Sequence, residues 1–298
     1  MLLRSIAVAA LTVMLTVQAQ AKPFSEMFPQ YADLEPGEAR TFLESLDYRQ
    51  GQIDLPGGFA RLDVPEGYYY LGAQDAERVL SEAWGNPPSE PAPLGMILPE
   101  TDTPFHGDGW AVEITWSEIG YVSDEDADEI DYDGLLAEMQ SDAAAENAWR
   151  DENGYERIEL IGWASPPRYD PVGRRLHWAK ELKFGDSEVN TLNYNLRVLG
   201  RKGVLVMNFI ANIDALPAVE AALPDVLALA SFKEGSRYAD FDPSVDEVAA
   251  VGIGGLIAGK ALAKTGLLAT LLIFLKKGWI LILIALGAVW KFFTGRRA

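Results

Sequence analysis

The sequence contains no cysteine and only two histidines, His106 and His177. Without cysteine the chain cannot form disulfides, a thiolate nucleophile, an iron–sulfur cluster or a cysteine-ligated zinc site. Two histidines exclude a histidine-rich metal site, although carboxylates alone could hold a cation. The sequence also lacks a Walker loop, a Gly-x-Ser-x-Gly elbow and a His-Glu-x-x-His motif. It therefore predicts no catalytic residue, no cofactor and no metal site.

Acidic residues are missing from both ends of the chain. All 44 Asp and Glu lie between Lys22 and Glu247 together with 17 Lys and Arg, whereas residues 248–298 carry seven Lys or Arg and no acid. An acidic surface repels phosphate backbones, so the sequence predicts no nucleic-acid partner. The chain is an acidic body joined to a basic, hydrophobic tail.

The first 21 residues have the pattern of a secretory signal. Arg4 supplies a basic start, residues 6–17 form a short apolar run, and Ala19 and Ala21 are the small residues expected at −3 and −1 of a cleavage site. The sequence therefore predicts cleavage after Ala21. An uncleaved N-terminal anchor is the alternative interpretation.

Residues 22–50 are a polar lead-in, and residues 51–247 are the acidic domain. Alternating hydrophobic residues predict strands, helical spacing predicts helices, and residues 88–109 are rich in loop formers. The predicted strands are 52–55, 59–64, 68–71, 110–116, 157–163, 175–183, 190–198 and 204–213, and the predicted helices are 75–84, 132–150 and 214–230. Asp131 and Asp214 are the predicted caps of the last two helices. The order of elements predicts one α+β domain with a mainly antiparallel sheet covered by helices.

Residues 248–298 are predicted to anchor the chain in a membrane, because residues 248–293 are almost wholly apolar apart from five lysines. In one model residues 248–275 lie in the interface and Gly278–Phe293 spans once. The residues that would mark this span are Trp279 and Trp290 at its boundaries and Lys291, Arg296 and Arg297 in the cytoplasm. In the other model a helical hairpin turns at residues 276–278 and leaves the C-terminal arginines outside.

Small residues recur every four positions at the start of this tail. Gly255, Gly259 and Ala263 form a small-xxx-small stripe that lets two membrane helices approach closely. The stripe predicts a helix–helix contact and a possible homo-oligomer. In tails rich in alanine and glycine the same pattern also arises by chance.

Three groups of residues are candidates for chemistry. The first is the acidic stretch 123–133, in which residues 129–134 resemble a calcium loop but place Gln140 where a bidentate glutamate is required, so a solvated acidic loop that caps the next helix explains the stretch better. His177 and Glu181 share one face of a strand, yet no nucleophile accompanies them, which favours a structural histidine. Six tryptophans could line a sugar-binding cleft, but alternating tryptophans on strands are more often core residues: Trp84, Trp110, Trp116, Trp149, Trp163 and Trp178.

Several short runs resemble the DUF2167 family of uncharacterised bacterial membrane-anchored proteins. The runs are Trp84-Gly-Asn-Pro-Pro88, Gly120-Tyr-Val-Ser-Asp124, Gly162-Trp-Ala164, Trp178-Ala-Lys-Glu-Leu182, Asn190-Thr-Leu-Asn-Tyr-Asn195 and Leu199-Gly-Arg201. The resemblance covers the chain from about Gly51 to the tail and implies an envelope protein with a C-terminal anchor. It carries no assigned activity. By order of elements alone, the chain is also similar to α/β/α sandwiches of the PsbP type.

Two function hypotheses follow from these patterns. The first is a non-enzymatic interaction or accessory domain that faces the periplasm, held at the bacterial inner membrane, with the lipid bilayer and envelope proteins as its partners. The second is an envelope hydrolase or carbohydrate-active enzyme with carboxylates in an aromatic cleft. Two facing carboxylates about 5–9 Å apart would favour the second.

Overall fold

The structure is a computed structural model that describes residues 20–31, 35–105 and 109–259. Contacts divide the chain into two compact units, where the sequence predicted one domain. The first unit contains the chain up to Thr115 with Ser187–Tyr194 and Met207–Ser236, and the second contains Trp116–Asp186, Asn195–Val206 and the chain from Arg237. Strands β6 (Trp110–Ser117), β9 (Thr191–Leu199) and β10 (Val204–Asn212) each contribute residues to both units.

The first unit contains an antiparallel sheet built from hairpins. Its remaining strands are β1 (Gln20–Lys22), β2 (Tyr48–Asp54), β3 (Ala60–Val64), β4 (Tyr68–Gly72), β5 (Gly95–Pro99) and β11 (Ala230–Phe232). The strand order is β11-β3-β2-β4-β5-β6, and β1 pairs with β2. The predicted hairpin between β2 and β3 is confirmed, and Gly57 and Gly58 at its turn have φ of 86° and 70°, which favours glycine. Strand β5 was not predicted, because the prolines around it indicate a loop.

The residues called a polar lead-in belong to the core of the first unit. Helix α1 (Phe24–Met27) and helix α2 (Glu38–Glu44) pack their apolar side chains beside helix α3 (Ala73–Arg78), which continues as a π-turn over Val79–Ala83. Phe28 is fully buried, and its ring lies 5.2 Å from the ring of Tyr48 and 5.4 Å from that of Tyr69, both edge-on. Edge-to-face aromatic pairs add to the stability that burial provides.

Helix α5 (Leu216–Leu229) completes the first unit. The predicted cap at Asp214 is wrong, because a 3₁₀ turn over Ile213–Ala215 precedes the helix and no side chain caps it. Pro217 lies in the first turn, where a missing N–H does no harm, and Pro224 lies inside the helix. Strand β10 is central, as its apolar sequence predicted, and lies between β6 and β9.

The second unit pairs a long helix with a long hairpin. Helix α4 (Tyr132–Glu152) begins where Asp131 accepts a hydrogen bond from the Gly134 N–H at 3.1 Å, so that predicted cap is confirmed. Strands β7 (Ile158–Asp170) and β8 (Arg175–Phe184) pair antiparallel, and the strand order is β6-β10-β9-β8-β7. Strand β6 is buried on both faces rather than one, since Ala111 and Thr115 are buried beside Val112 and Ile114.

The last described element changes the predicted boundary of the tail. Helix α6 (Ile253–Ile257) packs into the core of the second unit, and Ile253, Leu256 and Ile257 are at most 5% exposed. The packed part of the chain therefore continues past Glu247 to Gly259. Within the described residues, no helix is both long enough and apolar enough to cross a bilayer. Ala19, Ala263, Trp279, Trp290, Lys291, Arg296 and Arg297 lie outside the described residues.

Candidate functional site

The chain from Arg237 to Gly259, called here the C-terminal segment, pairs with the loop that follows β6. The Tyr121 N–H donates to the carbonyl of Glu247 at 2.8 Å, and the Ala249 N–H donates to the carbonyl of Tyr121 at 2.7 Å. Gly120 has a φ of 95°, and a Cβ there would lie 2.7 Å from the Glu247 oxygen. Only glycine allows the two backbones to approach this closely.

The carboxylate of Asp124 is the centre of the contact. It accepts a hydrogen bond from the Tyr169 hydroxyl at 2.7 Å and pairs with the guanidinium of Arg174. The Tyr238 hydroxyl, from the C-terminal segment, shares its one proton in a bifurcated hydrogen bond to the Val122 carbonyl at 2.9 Å and to the other Asp124 oxygen at 3.2 Å. One carboxylate therefore joins the β7–β8 hairpin to the C-terminal segment.

The ionisation of Asp124 follows from these partners. Burial acts to raise its pKa, but the hydrogen bonds from Tyr169 and Tyr238 and the charge of Arg174 outweigh burial, so the pKa lies below its ordinary value. Burial raises the pKa of Tyr169 to about 12 and that of Tyr238 further. The carboxylate is charged and both phenols are neutral donors at neutral pH.

Aromatic rings surround this carboxylate. Tyr121 stacks on Tyr238 with 4.4 Å between ring centroids and on Phe241 with 3.9 Å. The guanidinium of Arg174 lies 4.7 Å above the centre of the Tyr238 ring, which is a cation–π geometry. The stack holds Tyr238 in the position from which it donates to Asp124.

Two further carboxylates bind the C-terminal segment. Asp246, with a side chain only 2% exposed, accepts from Arg201 at 2.7 Å and from the Asp242 N–H at 2.8 Å. Asp126 accepts from the N–H groups of Ile253 and Gly254 at 2.9 and 3.1 Å, so it caps α6 from a distant loop. The stretch predicted as a solvated acidic loop thus supplies two of the three carboxylates.

Gly255 and Gly259 have local roles in the structure. Gly255 lies inside α6, where an added Cβ would meet the Val251 side chain at 2.6 Å. Gly259 has a φ of 73° just after the helix, as expected of the residue that ends one. Gly259 therefore lies beyond the helix that contains Gly255, so the described part of the predicted stripe does not lie along one helix.

The other residues singled out in the sequence lie apart from this site. His177 and Glu181 are both on β8, and His177 is half-buried opposite Arg168. Ala21 lies in β1, paired with Arg49 of β2. Across the described residues, no group of three or more His, Asp or Glu side chains is placed to hold a metal ion.

The six tryptophans do not form one group. In the first unit Trp84 donates from Nε1 to the Pro104 carbonyl at 2.8 Å, and the Trp110 ring lies 5.2 Å from that of Phe209. Trp116, Trp149, Trp163 and Trp178 belong to the second unit. There Trp178 is fully buried in the core with Trp163 packed against it, and Trp149 is exposed and stacks on Tyr155.

A family model, described as a protein of unknown function (DUF2167), matches residues 47–287. The chain belongs to the DUF2167 family. The resemblance drawn from the short sequence runs is thus confirmed, and the match includes every residue of the Asp124 contact. Two of the runs on which the resemblance was drawn, Gly120–Asp124 and Leu199–Arg201, supply contacts to the C-terminal segment.

Individual proteins similar to this DUF2167 chain give no information on its function. No curated protein matches its sequence. The solution structure of cyanobacterial PsbP from Synechocystis is similar at 10% identity with a TM-score of 0.35, and the alignment covers 61% of this chain and 91% of that chain. A likeness at that level supports no inference about fold or function.

Proposed function

We propose that this DUF2167 chain is an envelope protein of the bacterial inner membrane whose acidic domain faces the periplasm and acts as a non-enzymatic interaction module. The observation that carries the proposal is the position of the hydrophobic, acid-free tail. Residues 260–298 follow directly after Gly259, the last residue that the structure describes. The Asp124 contact ties the C-terminal segment, and hence the start of the tail, to the second unit. In this proposal the anchor begins after Gly259 rather than at residue 248.

The surface of α4 supports an interaction role. Its exposed acidic residues are Asp133, Glu138, Asp142, Glu146, Asp151 and Glu152, and its one basic residue, Arg150, is buried. A helix face with one sign of charge attracts a partner of the opposite charge and repels anionic lipid. The partner proposed here is therefore an envelope protein with a basic surface. The core positions of Trp178 and Trp163 give no support to an aromatic cleft for a sugar.

Membrane attachment is tested by fractionation. The full chain is expected to sediment with membranes and to require detergent for release, whereas a chain that ends at Gly259 is expected in the soluble fraction. The truncated chain retains every helix and strand that the structure describes, so tryptophan fluorescence of the soluble product checks that it is folded. Recovery of the full chain in buffer without detergent would contradict the proposal.

The same full chain with a C-terminal tag distinguishes the two tail models. A single span leaves the tag in the cytoplasm, where protease added to spheroplasts cannot reach it, while the acidic domain is digested. A hairpin exposes the tag to the protease. Loss of the tag in intact spheroplasts would therefore favour the hairpin.

The interaction role is tested by photo-crosslinking in intact membranes. A photoreactive residue in place of Asp142, on the exposed face of α4, is expected to give adducts of discrete mass that weaken as salt is raised. The control is the same replacement at Glu66, an exposed acid in the turn between β3 and β4. Equal adducts at both positions, or none at Asp142, would refute the proposed role of α4.

A further inference from the structure

Strand β7 is an edge strand of the second unit, and helix α4 lies against its outer side. Among the described strands, β7 pairs with β8 alone. The edge of a sheet presents N–H and C=O groups that can pair with another chain, so folded proteins guard such edges. Pro166 and Pro167 guard the later part of β7, because proline lacks the N–H that a pairing strand needs. The first residues of the strand, Ile158–Ile161, contain no proline and are guarded by α4.

Side-chain amides of α4 stand where a neighbouring strand would. Asn147 donates from Nδ2 to the Ile158 carbonyl and accepts from the Ile158 N–H, both at 2.8 Å. A residue of an antiparallel strand makes the same pair of bonds. Two turns earlier in the helix, Gln140 donates to the carbonyls of Leu160 and Ile161 at 3.2 and 3.1 Å. The C-terminal part of α4, residues 140–152, is called here the cover.

The cover is held mainly by polar contacts. In α4, all of which the structure describes, the buried side chains are Asn147 and Arg150, and Arg150 donates to the Glu156 carbonyl. Of the four alanines in the cover only Ala143 is half-buried, and Trp149 is 47% exposed. Burial of apolar surface, which stabilises most packed helices, therefore contributes little to the cover.

The charges of the cover weaken it further. Asp142 and Glu146 are both exposed and lie four residues apart, where like charges repel. Asp151 and Glu152 lie in the last turn, where the helix dipole disfavours acidic residues. Asp151 pairs with Arg157 at 3.4 Å, but this is an exposed pair of the kind that contributes little. A helix of this length is marginal in water without tertiary contacts, so a cover that leaves β7 is expected to unfold.

We propose that residues 140–152 form an autoinhibitory cover, which opens as a unit while the sheet stays folded and exposes Ile158–Ile161 as an edge for strand pairing. The first half of α4 stays in place, because Leu135 and Met139 pack against the core of the second unit. An open cover leaves the N–H and C=O of Ile158 without their partner, and these are the groups that an added strand binds. The inference does not rest on the membrane address or on the partner proposed above.

Hydrogen exchange of the full chain in an uncharged detergent, followed by mass spectrometry of peptides, tests the opening. Backbone N–H groups of residues 144–150 are expected to exchange much faster than those of β8 and β9, since the cover opens without the sheet. Asn147→Ala removes both bonds to Ile158 and is expected to speed exchange across residues 144–150 by about tenfold or more, with β8 and β9 unchanged. Alanine is the better helix former, so faster exchange cannot come from lost helix propensity. Ser141→Ala, at an exposed position of the same helix, is the matched control.

Self-association tests the exposed edge. At high concentration the Asn147→Ala chain is expected to sediment as larger species than the Ser141→Ala chain, because the β7 edges of two copies can then pair. Ile161 is 40% exposed, and adding Ile161→Lys to Asn147→Ala places a charge on the edge and is expected to reverse the association. The tail is the same in all three chains, so association through the tail cancels in the comparison.

Two sets of results would contradict the proposal. Exchange in residues 144–150 as slow as in β8 and β9 would overturn it, because α4 would then open only when the whole unit unfolds. Exchange that Asn147→Ala leaves unchanged, or raises equally in β8 and β9, would overturn it as well. A folded Asn147→Ala chain that associates no more than Ser141→Ala, or association that Ile161→Lys does not reduce, would overturn the assignment of β7 as a pairing edge.

Discussion

A chain that ends at Glu247 is expected to lose the cooperative unfolding of the second unit, whereas a chain that ends at Gly259 keeps it. The twelve residues between these ends contain Ile253, Leu256 and Ile257, which are buried in the core. Each fully buried aliphatic side chain contributes about 1.5–3 kcal/mol, so the joint removal of the three costs roughly 5–9 kcal/mol. That is comparable to the whole stability of an ordinary domain.

The same truncation also removes polar contacts. The hydrogen bond from the Ala249 N–H to the Tyr121 carbonyl is lost, and Asp126 no longer has the N–H groups of Ile253 and Gly254 to accept from. A carboxylate left without its donors adds to the loss of stability. Urea unfolding followed by tryptophan fluorescence measures the effect, and the chain that ends at Gly259 is the matched control. Equal midpoints for the two chains would show that α6 does not stabilise the second unit.

Asp124→Asn is expected to lower the free energy of unfolding by about 1–3 kcal/mol at pH 7, because a charged acceptor for two phenols and a guanidinium is replaced by a neutral amide. The carboxylate of Asp124 is partly exposed, which limits the effect. Asp128→Asn is the control, since Asp128 is an exposed acid in the same loop. Similar losses in the two variants would argue against a special role for Asp124.

The contribution of Asp124 to the free energy of unfolding depends on pH, and the direction of its pKa shift fixes whether that contribution falls in acid or in base. Its pKa is lower in the folded chain than in the unfolded chain, so the folded state favours the charged carboxylate. Its contribution to stability is complete above the unfolded pKa of about 3.9 and is lost as pH falls through the lower folded pKa. The difference between the unaltered chain and Asp124→Asn is therefore expected to shrink below about pH 4. A difference that grows as pH falls would contradict the assigned pKa direction.

Local sequence patterns predicted elements well where the element has a regular period. The hairpin of β2 and β3, helix α4 with its Asp131 cap, and the strands from β7 to β10 all follow from alternation, helical spacing and turn residues. Strand β5 was not predicted, because its apolar run is short and the prolines around it indicate a loop. The start of α5 was misplaced because a 3₁₀ turn stands before it.

The Asp124 contact was beyond such patterns for a physical reason. Asp124 meets partners 45 and 114 residues away in the chain, and Asp126 caps a helix 127 residues away. A carboxylate in an acidic loop has the same local sequence whether it is solvated or bound to a distant donor. The short run Gly120-Tyr-Val-Ser-Asp124, already noted for its resemblance to a family, was the one signal that could have marked it.

The sequence by itself determined the class of the fold, the uneven charge and the hydrophobic tail, because periodicity and composition are properties of neighbouring residues. Only the tertiary structure decided that packing extends past Glu247 through α6, and which acidic residues bind the C-terminal segment. The apolar run that begins near Val248 is continuous in sequence, yet its first turn of helix is buried in the second unit. Asn147 and Ile158 likewise meet only because α4 lies against the edge of β7.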